Sequence, residues 1–224
     1  MQFKLKMRSY YTLFTSAFLV TMATGCPDIS TVLKRRPTVM SNFNETLWMG
    51  QWFKQRWSPP CSWSGSRKFS DQAMNNEYTD QPEIILGHAA WRMNGHCVQA
   101  TEHLLKEKVP GIYRVVDPIG DVLTGEGRVV ATDYTGYNIF WGCTRPDIVD
   151  PLLCDDPWMS VTTRNAHPDP KCINHAADAL KSIFDIPINA ILQVEHTAAC
   201  VCGSKKTISY SSSKTSKKWY KGLA

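Results

Sequence analysis

The sequence predicts an all-β domain, an antiparallel sandwich or barrel of about eight short strands with one helix after them. Three observations lead there. Short apolar segments succeed one another from Leu47 to about Arg164, joined mostly by turns of hairpin length. A pattern of helical period appears only after that series. Eight cysteines follow a leader of secretory type, the setting in which disulfides form and persist.

The leader comes first. Lys4, Lys6 and Arg8 precede an apolar stretch, Leu13 to Ala23, that is too short for the ~20 residues a bilayer span needs. Ala23 and Gly25 are small residues just before Cys26. That order is the n-region, h-region and cleavage site of a signal peptide, so residues 1–25 are expected to be removed after Gly25. A bacterial lipoprotein signal fits less well, because Ala23 stands where that motif prefers Leu. After a lead-in from Cys26 to Thr46, the strand segments run Trp52–Trp57, Met74–Thr79, Glu83–Met93, Cys97–Leu105, Ile112–Asp117, Gly127–Asp133, Asn138–Cys143 and Trp158–Thr163. A polar loop from Ser58 to Asp71 separates the first two. Asn94-Gly95 suits a two-residue hairpin, since both residues tolerate positive φ. Asp169 is a good N-cap and Pro170 suits the first helical position. Ile173, Ala177, Leu180 and Phe184 then form one apolar stripe, expected to lie on the outside of the sheet. Ile188 to Val194 could add a further strand, and residues 203–224 form a Lys- and Ser-rich tail expected to be disordered.

The chain has 224 residues, enough for one domain with a sizeable core. Its formal charge of +5 belongs to its ends. The leader holds three cations and the tail six lysines with no acid, so the body between them is net acidic. This argues against nucleic acid as a partner, which would require the basic charge on the folded surface. No transmembrane segment is expected. Cys200-x-Cys202 lacks the second ligand pair that a zinc site needs, so no metal is expected. Asn44-Glu45-Thr46 is a glycosylation sequon, usable if the protein is secreted. The six histidines are scattered, with no Ser-His-Asp arrangement, and no cofactor motif appears.

Three local signals sharpen the fold. Gly50-Gln51-Trp52 opens the first strand. Thr132-Asp133-Tyr134-Thr135-Gly136-Tyr137 forms a polar turn between two strands. Arg164 ends the last strand, where a guanidinium can lie across an indole. In this order, Gly50-x-Trp52, Thr132-Asp133 with Tyr137, and Arg164 before the helix resemble the three motifs of the lipocalin family. The resemblance runs from Cys26 to about Cys202, leaving residues 26–202 as the domain. It is closest to the apolipoprotein D, insect bilin-binding and crustacyanin group, through Cys26-Pro27-Asp28, Tyr137 with Cys143, and Ala198-Ala199-Cys200.

That resemblance implies an eight-stranded antiparallel up-and-down β-barrel with the C-terminal α-helix packed on its outside. Trp52 and Arg164 would meet at a closed end. It implies a disulfide Cys26–Cys143 and a second from Cys200 to the first long loop. The group's loop cysteine would fall at Ala73, so the expectation shifts to Cys61–Cys200, with Cys97, Cys154, Cys172 and Cys202 unassigned. With Cys143 bonded outside the barrel, alternation turns Asn138 and Phe140 inward. Trp158, Ser160 and Thr162 share the inward face with Arg164, and Val129 and Ala131 are further candidates. The implied role is a secreted, extracellular, non-enzymatic carrier of a small hydrophobic molecule of retinoid, carotenoid, bilin, sterol or fatty-acid class. A bound apolar ligand or pigment would stand in place of a cofactor, and homo-oligomers stay open. Two alternatives remain: a lipocalin-type isomerase with a free calyx thiol, and a surface-acting binding protein that uses its basic tail.

Overall fold

The structure, a computed structural model, describes residues 29–63, 69–116 and 125–197. Eight strands coil into a closed antiparallel barrel: β1 (Gly50–Ser58), β2 (Phe69–Tyr78), β3 (Ile84–Met93), β4 (His96–Lys106), β5 (Ile112–Val116), β6 (Gly125–Thr132), β7 (Tyr137–Cys143) and β8 (Pro157–Thr163). Each strand pairs with the next, and β1 closes the ring by pairing β8 on one edge and β2 on the other. Closure leaves no long free edge to template aggregation. The β3–β4 turn uses Asn94 and Gly95, both at positive φ (50° and 82°), the geometry a two-residue hairpin requires.

Two short helices precede the barrel, Ser30–Leu33 (α1) and Glu45–Trp48 (α2). Asn44 caps α2 by accepting from the Leu47 amide, and the turn lodges Trp48 inside the barrel, only 3% exposed. Strand β2 begins at Phe69, five residues ahead of the expected start at Met74. Its polar opening, Phe69-Ser70-Asp71-Gln72, conceals a strand with an irregular register between Ser70 and Ala73, where Asp71 takes a φ of 56°. After the barrel, α3 (Pro170–Phe184) starts at Asp169, whose carboxylate accepts from the Lys171 amide at 2.8 Å. Its buried face is Ala176, Leu180 and Phe184. Ile173 and Ala177, expected on that stripe, are half-buried.

The segment from Ile188 to Val194 forms a 3-10 turn, Ile188–Ala190, and a two-residue strand β9, Leu192–Gln193, in place of one longer strand. Its position explains its brevity. Strand β2 covers the β1 edge only from Gly50 to Phe53, and β9 takes over at Arg56 and Trp57. The chain then reaches β2 itself, where the Asp71 amide donates to the Glu195 carbonyl at 2.7 Å. The C-terminal segment therefore fills the seam where β1 and β2 part.

The barrel wall separates two apolar clusters. The outer one joins Ile139, Trp141, Met159 and Val161 of β7 and β8 to Leu33 and to Leu180 and Phe184 of α3. The inner one holds Trp48, Trp52, Trp57, Tyr113, Phe140 and Trp158 among others. With both faces covered, every residue of β8 is buried.

Cysteine pairing departs from expectation. Cys143 bonds Cys154, 11 residues on with Cα atoms 5.8 Å apart, and not Cys26. The β7–β8 loop folds back so that Pro146 bridges Cys154 and the Asp155 amide reaches the Arg145 carbonyl at 2.9 Å, which brings the two thiols together locally. The lead-in still crosses this place, through backbone hydrogen bonds: Cys154 N donates to Lys34 O at 2.7 Å and Arg36 N to Leu152 O at 2.9 Å. A short loop costs less entropy to close than one spanning most of the domain. Cys61 and Cys97 are also disulfide-bonded, and Cys172 is a free thiol. Cys26, Cys200 and Cys202 lie outside the described residues, as do the expected leader and tail.

Candidate functional site: a hollow in the barrel

One end of the barrel is stoppered. Arg164, just past β8, lays its guanidinium 3.7 Å from the centre of the Trp52 ring. It donates to four carbonyls, those of Leu47 (2.7 Å), Met49 (2.9 Å), Tyr134 (2.9 Å) and Gln51 (3.0 Å). One side chain thus ties α2, the start of β1 and the β6–β7 turn together. Gly50 sits beside it at φ +88°, and a Cβ there would lie 3.6 Å from Arg164 Nη1. The β6–β7 turn is held from within. The Asp133 carboxylate accepts from the amides of Thr135, Gly136 and Tyr137, and Thr132 Oγ1 donates to the Tyr137 carbonyl at 2.7 Å. Burial and the Asp133 charge raise the Tyr137 phenol above its usual range.

Above the stopper, Trp48 is the floor of a hollow. It stacks on Tyr113 (5.5 Å between centroids) and Phe140 (6.1 Å). Its indole N–H donates to Asn138 Oδ1 at 3.1 Å, and Asn138 in turn donates to Thr162 Oγ1. The Trp52 N–H donates to the Trp48 carbonyl at 2.8 Å. Tyr113 donates to Glu45 Oε2 at 3.1 Å. Burial, reinforced by Glu45, pushes the Tyr113 phenol well above its usual range, so it stays a neutral donor.

The hollow is lined by five indoles, Trp48, Trp52, Trp57, Trp91 and Trp158, with Phe69 and Phe140. The free volume left between these rings is small, about 80 Å³. The rings crowd the space: Trp158 lies 5.4 Å from Trp57 and 5.5 Å from Phe140. Of the residues expected inside, Asn138, Phe140, Trp158, Ser160 and Thr162 line the hollow. Val129 is fully buried in the inner cluster but is not a lining residue, and Ala131 is half-buried against the outer cluster.

Sequence reasoning missed four polar lining residues on β1, β2 and β4. Lys54 of β1, Gln72 and Asn76 of β2 and Glu102 of β4 also line the hollow. The Lys54 ammonium rests 3.8 Å from the Trp57 ring centre. Burial brings it down to about 8, while Glu102 pulls it back up. A signal existed for two of them. Lys54 shares its face with Trp52 by simple alternation, and Glu102 lies between inward Ala100 and Leu104. No such signal marks Trp57, which a register shift between Lys54 and Arg56 turns inward as well. No cysteine lines the hollow among the described residues, and the Cys172 thiol packs by Gly136 from α3. Among the described residues there is no cluster of metal-ligating side chains, and no helix is long and apolar enough to cross a membrane.

No family model matches the chain. The Lazarillo protein of Schistocerca americana is 22% identical over 202 residues, which cover 88% of this chain and 90% of that protein. Among solved structures, the cockroach major allergen Per a 4 aligns with a TM-score of 0.55 at 13% identity, covering 73% of this chain and 95% of its own. Lobster apocrustacyanin A1 aligns with a TM-score of 0.55 at 10% identity, covering 78% and 90%. At such identities the structural likeness speaks for the fold alone.

Proposed function

This chain has the lipocalin fold and resembles the lipocalin family in sequence, and we propose that it is a secreted carrier of a small hydrophobic molecule. The observation that carries the reading is the aromatic hollow: seven rings line it, Trp48 as its hydrogen-bonded floor, without filling the space between them. Ligand sites are of this kind, mostly apolar with a few placed polar groups. Apolar contact with such walls stabilises a complex by roughly 25 cal/mol per Å² buried. The narrow free volume favours a slender cargo. A flat or fused-ring molecule enters only after the Trp158 and Phe140 rings swing aside.

Residues 1–25 serve in this reading as the secretion signal, and the disulfides suit an oxidising compartment. Asn44 is exposed, and its cap to α2 uses Oδ1, leaving Nδ2 available for a glycan. The test is uptake of the slender, neutral, fluorescent polyene methyl parinarate by protein secreted from an expressing cell. Saturable uptake that quenches with Phe140→Trp crowding supports the reading. A folded, secreted protein that takes up no apolar probe ends it.

A further inference from the structure

Resting on that carrier reading, we propose that Lys54 anchors cargo covalently: its side-chain amine condenses reversibly with the carbonyl of a slender apolar aldehyde held in the hollow. The cargo class that the site retains best is then the unbranched aldehyde.

The placement comes from β1. Lys54 pairs with Thr162 of β8, and both line the hollow. The Lys54 carbonyl is met by His196 Nε2 at 2.8 Å, so its backbone is held from the seam side as well. In a regular strand, residues three apart point to opposite faces. The register shift between Lys54 and Arg56 brings Trp57 round to the face of Lys54, and the ammonium comes to lie 3.8 Å from the Trp57 ring centre. The nitrogen is thereby kept against the aromatic wall. Among the described lining residues Lys54 is the only lysine, and there is no cysteine. A carbonyl that enters the hollow meets this one amine among the described side chains.

A lysine amine attacks a carbonyl only as the free base, and an apolar pocket is what supplies that form. Burial brings Lys54 down to about 8, against the pull of Glu102, which favours the cation. At neutral pH its free-amine fraction is therefore about 300 times that of an ordinary lysine. The nitrogen lone pair forms a bond to the aldehyde carbon, and the proton lost from nitrogen passes to the carbonyl oxygen. That oxygen then leaves as water while the C=N bond forms, so the step needs no oxidant or reductant. The protonated imine carries the same single charge as the ammonium it replaces, so the Glu102 charge that favours one favours the other. Water reverses the condensation, and a free volume of about 80 Å³ between aromatic rings leaves little room for water beside a cargo.

The experiment incubates the secreted protein with decanal and sodium cyanoborohydride at neutral pH and maps the alkylated lysines by peptide mass spectrometry. Decanal has no conjugated double bond, so it adds only at its carbonyl. Lys54 should be alkylated at least about tenfold faster than the exposed Lys171 and Lys181, and methyl parinarate should slow the reaction at Lys54 alone. Without the reductant, decanal should displace methyl parinarate about tenfold better than 1-decanol, which has the same chain and cannot condense. Lys54→Arg keeps a cation for the Trp57 ring but forms no imine, so the decanal-to-decanol ratio should fall to about one, as it should in Lys54→Met. Alkylation of Lys54 no faster than that of the exposed lysines overturns the inference. So does a decanal preference that survives in folded Lys54→Arg. Should both variants fail to fold, the map of the native protein still decides. A native protein that takes up methyl parinarate but leaves Lys54 unalkylated removes this inference alone; one that takes up no methyl parinarate removes the carrier reading and this inference with it.

Discussion

Strand β7 meets two different interiors. Its outward side chains, Ile139, Trp141 and Cys143, are each wholly buried between the barrel, α3 and the lead-in. Its inward side chains, Asn138 and Phe140, face the hollow. The outer interior is mostly aliphatic, and the Trp141 N–H is met by the Leu33 carbonyl at 3.0 Å. The inner one is mostly aromatic and leaves space. Aliphatic chains with well-defined rotamers interdigitate and close gaps. Large flat rings braced against one another do not, so they can line a cavity that stays open. The wall facing outward holds the fold together, and the wall facing inward is shaped for cargo.

Substitutions on the two faces should separate stability from binding. The largest effect is expected for Leu180→Ala, which should cost about 2–5 kcal/mol in denaturant unfolding through the cavity it leaves in the outer cluster. Methyl parinarate affinity of the folded fraction should be unchanged; a large affinity loss would mean the two faces are not independent. Arg164→Met is expected to cost roughly 2–3 kcal/mol, since it strips a shared donor from four carbonyls at the stopper. It acts at the end of the inner face, so loosened Trp52 should also appear as a shift in tryptophan emission. Phe140→Leu should cost only about 1 kcal/mol while admitting ring-bearing ligands that the native hollow takes poorly, measured as a gain in their affinity. Loss of all ligand binding in that variant would contradict the reading of Phe140 as a constriction.

The smallest effect concerns pH and the loops beyond the wall. Asp156 is buried, which by itself would raise its carboxyl. Hydrogen bonds from Ser62 and Thr144 outweigh that and hold it below the usual carboxylate range. A folded value below the unfolded one means the contribution is present above the ordinary carboxylate range and is lost as pH falls through the folded value. Asp156→Asn should therefore cost less than about 1 kcal/mol at neutral pH but flatten the acid limb of a stability–pH profile. An unchanged acid limb would show that other carboxylates govern it.

Much of this architecture was legible before any coordinates. Asn94-Gly95, Asp169-Pro170 and the Thr132-to-Tyr137 turn encode their structure in adjacent residues, and adjacent residues are what a sequence displays. The inward face of β8 followed from alternation together with Arg164, which the family resemblance sets against Trp52, and Trp158, Ser160 and Thr162 all reach the hollow. The same alternation placed Lys54 and Glu102 inside, but a charged residue on an apolar face reads as an exposed one unless the face is already known. Trp48 lay beyond reach, because a four-residue helix in the lead-in has no periodicity to detect.

What the sequence determined by itself is local: the strand series, the late helix with its N-cap, and three ordered motifs that the barrel closes upon. The tertiary structure alone decided the rest. Irregular registers at Lys54/Arg56 and Ser70/Ala73 set which side chains of β1 and β2 face inward, and a one-residue slip exchanges the two faces of a strand. The partner of Cys143 depended on how the β7–β8 loop folds back, and eight cysteines allow too many pairings to choose from spacing. Asn76, Gly87 and Glu102 share one row only because the β2–β3 and β3–β4 hairpins fix that register.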